Sequence, residues 1–443
     1  MPIETIPGTN IRYFLVVLDE KGNERADDPG GAMRERIAGA IENGQPTDVF
    51  TFIHGWKGDL PAARMQYASW MSTLMAQSGD IERARASRPG FVPLLVGLHW
   101  PSLPFGAELF SESAQPFSLD ADDGVGIDID RAASTIADTP IARGALQTIF
   151  EAAQAPFAPA SLPADVAEAY RLLDHESGLG ASGIEGAPGA DREPFDPDAA
   201  YARALEEPMS FGGGGVRSAL LSPLVQLSFW KMKKRARRIG ESGGFSLLSA
   251  LMEVAGDRDV RFHVMGHSFG CIAASAAVCG PTGARLPRRV HSLVLVQGAL
   301  SLWSCCDSLP GAPTKAGYFR RLAAGDVVAG PVVTTRSEHD MAVGSLYPLA
   351  AGVARQVDFA PGSFPKYGGV GTFGLRGSGL DIEDLDAQDA NFAYSFRPGR
   401  IYNVDCSRVI REGGPPSGAH SDIARPEVGH LVWAAAMGPR EIS

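Results

Sequence analysis

The stretch VRFHVMGHSFGCIAASAAV, residues 260–278, changes character at one point. Residues 260–265 are an apolar, β-prone run, Gly266-His267-Ser268-Phe269-Gly270 forms a corner, and Cys271-Ile272-Ala273-Ala274-Ser275 is small enough for a helix to lie close on a sheet. Strand, sharp turn and helix in that order lift a serine hydroxyl above the strand end, with a helix N-terminus beneath it. The same G-x-S-x-G spacing recurs at Gly240-Glu241-Ser242-Gly243-Gly244. The segment before it, Phe229 to Arg238, is crowded with Lys and Arg, carries apolar residues at helical spacing and predicts a basic amphipathic helix, not a buried strand. Ser242 is therefore expected to cap a helix over 245–255, with its glycines turning the chain between two helices. Ser268 is the candidate nucleophile.

Outward from this corner, the chain alternates strand and helix. Apolar runs predict strands at 11–18, 48–56, 93–102, 290–300, 330–340 and 400–410, and helical spacing predicts helices over 32–43, 61–75 and 426–437. Continuous apolar strands separated by helices imply an α/β fold, a mostly parallel sheet covered on both faces. The alternation lapses between 103 and 225, a Pro-, Gly- and Ala-rich stretch with helical segments at 140–154 and 163–175 and four glycines at 212–215. It is too long for an ordinary connection and is expected to be a structured insertion or lid. The expected organisation is a core over 1–102 and 226–443, a cap over 103–225 and a further loop insertion at 355–398.

A net charge of −11 over 443 residues offers no long basic face to phosphates, so no nucleic-acid partner is expected. No apolar run approaches the roughly 20 residues of a membrane span, and residues 1–5 lack the pattern of a secretory signal. Cytoplasmic residence is the expectation. The five cysteines, Cys271, Cys279, Cys305, Cys306 and Cys406, lack metal-ligand spacing and suit a reducing compartment. The acidic run DADDGVGIDID at 120–130 does not match a calcium-binding loop and reads as a solvated turn before a helix.

The order of strands and the two segments FTFIHGW and VMGHSFG together resemble the α/β-hydrolase superfamily, in particular its bacterial serine esterases and lipase-like members. The resemblance covers about 1–102 and 226–443. It implies a Ser-His-acid site at the carboxyl ends of the strands, with nucleophile, acid and histidine in that chain order. Asp340, after the strand ending near Thr335, takes the acid's position, with Glu338 as its rival. Asp405 lies inside the next strand, and Asp358 falls well downstream. His420, on a Gly/Pro loop after the last strand, takes the base's position ahead of His430, which falls among apolar helix residues, while His291 opens a strand. The backbone N–H groups of Trp56 and Phe269 are the implied oxyanion donors, and the side chains of Trp56, Phe269 and Trp100 stand near the implied acyl pocket. The H-G-G-G loop of many lipases is absent, and the insertion precedes the nucleophile, where many members carry theirs later.

The expected activity is cleavage of a small-molecule carboxylic ester through an acyl-Ser268 intermediate, with no cofactor and no metal. A thioesterase or acyltransferase would use the same three residues, and a silent binding protein could keep the same fold.

Overall fold

The computed structural model describes residues 3–25, 32–44, 46–56, 59–102, 129–154, 157–206, 216–346, 364–414 and 417–438. The run 120–128, the glycines 212–215, Asp358 and the first part of the 355–398 segment lie outside them. The chain divides into two compact units, one of residues 1–102, 236–413 and 418–443, the other of 103–235 and 414–417.

The first unit is built on one sheet of nine strands: β1 (Glu4–Thr5), β2 (Arg12–Val17), β3 (Asp48–Ile53), β4 (Pro93–His99), β5 (Arg261–His267), β6 (Ser292–Val296), β7 (Val332–Arg336), β8 (Ile382–Asp386) and β9 (Ile401–Asp405). Their order is β1-β2-β4-β3-β5-β6-β7-β9-β8. Only β1 runs antiparallel to its neighbour. The central strands β3 and β6 are buried at every position, as strands covered on both faces must be. The pairings Ile53↔Gly266, His267↔Val296, Val296↔Thr335 and Arg336↔Asp405 bring the carboxyl ends of successive strands to one rim.

Alternate strand residues (Phe50, Phe52, Met265, Val294, Val296, Tyr402 and Val404) form one core with helices Leu60–Met75 and Pro426–Met437. Helix Leu60–Met75 starts where Asp59 accepts a hydrogen bond from the Ala62 N–H at 2.7 Å and Pro61 occupies the first turn, where its missing N–H costs nothing. A second helical group, Met33–Glu42, Phe245–Ala255 and Phe269–Cys279, packs together outside that core.

Two features differ from the sequence-based expectation. The sequence predicts a loop insertion that takes in residues 382–386, but IEDLD there is strand β8, which pairs in register with β9 at the sheet edge. Its acidic, half-exposed residues suit an edge, where charge discourages pairing with other chains. Ser242 does not cap a helix: Gly240–Gly244 is a π-turn joining helices Val216–Ile239 and Phe245–Ala255 without a break, and Ser242 Oγ donates back to the Arg238 carbonyl at 2.8 Å. The glycines serve packing instead of turning. A Cβ on Gly240 would lie 2.4 Å from the Ala273 carbonyl oxygen, and one on Gly244 would lie 2.8 Å from the Ala277 Cβ.

The second unit is largely helical where described, with Ile129–Ile136, Pro140–Ala152, Ala164–Ser177, Pro197–Glu206 and all but the last four residues of Val216–Ile239. Leu146, Ile149, Tyr170, Leu173, Leu224 and Leu227 fill its interior. Lys233 is buried there and pairs with Asp191; burial lowers the lysine's pKa, opposed by the adjacent carboxylate. Among the described residues no helix is long and apolar enough to cross a membrane.

Candidate active site

Strand β5 ends at His267, and helix Phe269–Cys279 begins at Phe269, so Ser268 alone makes the corner. Its φ of 55° and ψ of −121° form a sparsely populated combination for an L-residue, which costs on the order of 1–3 kcal/mol and persists only where the surroundings enforce it. They do so through backbone. The Ser268 N–H donates to Val296 at 3.1 Å, and the Ser268 carbonyl accepts from both Cys271 and Ala299 at 3.1 Å. A side chain at position 270 could not fit, since its Cβ would stand 2.1 Å from the Ile53 carbonyl oxygen.

The loop after β3 approaches the same point. A Cβ on Gly55 would lie 2.8 Å from the Ser268 Cβ, so glycine permits the main chain before Trp56 to pass against the serine. His54 anchors this loop. Its Nδ1–H donates to the Gly55 carbonyl at 2.9 Å, which leaves Nε2 to accept from His99 Nδ1 at 2.9 Å and from the Trp100 N–H at 3.3 Å. The His54 carbonyl accepts from Trp100 Nε1 at 2.9 Å, and its N–H meets the Tyr67 hydroxyl at 3.1 Å. Burial, reinforced by the His99 ring, lowers the His54 pKa to about 3, and burial lowers that of His99 to about 4. Both rings are neutral at pH 7, as this donor–acceptor chain requires. Trp100 is fully buried in it and is not a pocket wall, whereas the Trp56 and Phe269 rings lie 5.4 Å apart.

His420 and Asp340 meet directly, with His420 Nδ1 2.9 Å from Asp340 Oδ2. Because the carboxylate only accepts, Nδ1 carries the proton and Nε2 presents its lone pair. The loops bearing the two residues are zipped by an Asp340↔Gly418 bridge and by the Ala419 N–H donating to the His339 carbonyl at 2.9 Å. Asp340 Oδ1 accepts the Val343 N–H at 3.0 Å, and Oδ2 also accepts Gln297 Nε2 at 2.9 Å. Glu338 is exposed beside His339, Asp405 pairs with Arg336, and His430 lies in the core bonded to Asp80 at 2.8 Å. His291 bonds the Phe262 N–H at the far end of the neighbouring strand.

His267 connects the serine's corner to the histidine loop. Its Nε2–H donates to the His420 carbonyl at 2.9 Å, and the two rings stand 4.8 Å apart. Burial, and then the neighbouring His420 ring, push its pKa well below the ordinary value, so it stays neutral. Neither Ser268 Oγ nor His420 Nε2 makes a hydrogen bond among the described residues.

Sequence reasoning alone misses His267 and Gln297. The available signal is a polar residue closing an apolar strand, MGH in one case and LVQ in the other. All five cysteines are buried and unbridged, and burial raises the pKa of Cys305 to about 12 and that of its neighbour Cys306 upward, so the vicinal pair is not activated. Comparison with protein-family models, with curated proteins and with solved structures finds no match.

Proposed function

We propose that the protein is a serine hydrolase of the α/β-hydrolase type that cleaves a carboxylic ester. The observation that carries this reading is Ser268 at positive φ on a strand-to-helix corner, beside a loop whose histidine is bonded to a buried aspartate. A serine hydroxyl is a weak nucleophile at neutral pH and needs a base to take its proton. His420 Nε2 has the correct tautomer for that step, and Asp340 stabilises the imidazolium without itself being protonated.

In the proposed reaction Ser268 Oγ attacks the ester carbonyl carbon while its proton passes to His420. The oxyanion is assigned to the N–H groups of Trp56 and Phe269, the latter at a helix N-terminus, where negative charge is favoured. Collapse releases the alcohol with the proton from His420. Water then attacks the acyl-serine by the same route and frees the acid.

Hydrolysis of p-nitrophenyl esters of graded chain length tests this reading. Wild type is expected to turn over at least one ester, and Ser268→Ala none above background. Equal turnover by Ser268→Ala would refute it. A wild type that reacts with an active-site phosphonate yet hydrolyses no ester would move the assignment to acyl transfer.

A further inference from the structure

Among the described residues only two other than glycine have positive φ, Ser268 at 55° and Gln297 at 48°. Gln297 follows β6, is wholly buried, and bonds the same carboxylate oxygen that receives His420. We propose that Gln297 is a positioning residue for the reaction proposed above: its side-chain amide holds Asp340 in the rotation that presents Oδ2 to His420.

The direction of the amide is set by the carboxylate, which only accepts, so the N–H2 end must face Asp340. Thr335 Oγ1 accepts the Gln297 backbone N–H at 3.0 Å and spends its single proton on Gln297 Oε1, also at 3.0 Å. With the N–H2 end on Asp340 Oδ2 at 2.9 Å, Oε1 is the atom left to accept the Thr335 hydroxyl. Thr335 and Gln297 are both fully buried, so water does not compete for these bonds. The φ of 48° at Gln297 is an uncommon backbone conformation for a residue other than glycine, one that persists only where the surroundings enforce it. Asp340 thus receives Val343 on Oδ1 and Gln297 with His420 on Oδ2, and both oxygens are fixed.

Because this inference rests on the hydrolase reading, its test is run beside wild type. Gln297→Asn keeps a residue that tolerates positive φ but withdraws the amide by one methylene. It is expected to lower kcat about 10- to 100-fold, the worth of one hydrogen bond to a charged group, with KM changed less than about twofold and phosphonate labelling slowed in parallel. Gln297→Glu restores the donor only while its own carboxyl is protonated. Its kcat is expected to approach wild type on the acid side and to fall as pH rises, where wild type gains activity.

Wild-type kcat, labelling rate and pH profile in Gln297→Asn would overturn the proposal and leave the hydrolase reading intact. Should that variant fail to fold, a Gln297→Glu profile parallel to wild type would overturn it instead. A wild type inert to both phosphonate and esters would remove the two together.

Discussion

Replacing Asp340 by Asn leaves the size of the side chain unchanged and removes the charge, and the surrounding donors determine the effect on catalysis. Three N–H groups point at the carboxylate: Val343 at Oδ1, and Gln297 and His420 at Oδ2. An amide has one acceptor oxygen and two donor hydrogens, so one orientation or the other must set N–H against N–H. With its oxygen at the Oδ2 site, it opposes the Val343 N–H and offers no charge to an imidazolium. With its nitrogen there, it opposes the Gln297 amide and drives His420 to accept at Nδ1, which puts the proton on Nε2 and abolishes the base. Each arrangement leaves a buried donor unsatisfied, at about 1–3 kcal/mol; the first keeps the tautomer but removes the charge that stabilises the imidazolium, and the second removes the base. The tautomer error alone costs about 10⁴ in kcat, which is about 5.5 kcal/mol of transition-state stabilisation. The assay is kcat/KM on the best p-nitrophenyl ester together with the rate of phosphonate labelling, with circular dichroism to verify folding. A folded Asp340→Asn within about tenfold of wild type would refute the reasoning, since no tautomer or charge argument tolerates so small a loss.

Gly270→Ala would place a Cβ 2.1 Å from the Ile53 carbonyl oxygen, and neither backbone can yield; the expected loss is about 1–3 kcal/mol of stability with labelling of Ser268 impaired, read by urea unfolding and phosphonate reaction. His430→Ala is expected to lower stability by about 3 kcal/mol, the low end for breaking a buried pair because Arg83 still pairs with Asp80, while kcat/KM stays within a few-fold of wild type. His54 and His99 are held neutral, with pKa values lowered to about 3 and about 4. The folded state therefore binds fewer protons than the unfolded state below the ordinary histidine value near 6.5, and stability is full above that pH and is lost as pH falls from there towards 4. Each ring contributes a slope of about 1.4 kcal/mol per pH unit, and unfolding free energies that stay flat between pH 6.5 and 4.5 would show these rings to be solvated.

The central strands are legible in the sequence because burial on both faces leaves a largely apolar run, unbroken from Leu293 to Val296 and interrupted only by Thr51 from Val49 to Ile53, and the Ser268 corner because glycines bracket it. Strand β8 is not legible, since three acids in five residues read as a loop until an edge position explains them. The π-turn at Gly240–Gly244 misleads for a related reason. Glycine signals a turn and a close contact equally, and only the opposing Ala273 and Ala277 decide between them. Asp340 and His420 are each reachable from chain order, yet their hydrogen bond spans 80 residues and no local pattern encodes it. Gln297 is the extreme case, because its part depends on a backbone angle and on a threonine 38 residues away.

The most direct measurement is to react the protein with a fluorophosphonate and map the adduct by peptide mass spectrometry. A single phosphonyl group on Ser268, retained in Ser242→Ala and absent from Ser268→Ala, is the expected result. An adduct on Ser242 or elsewhere, with Ser268 unmodified, would contradict the account.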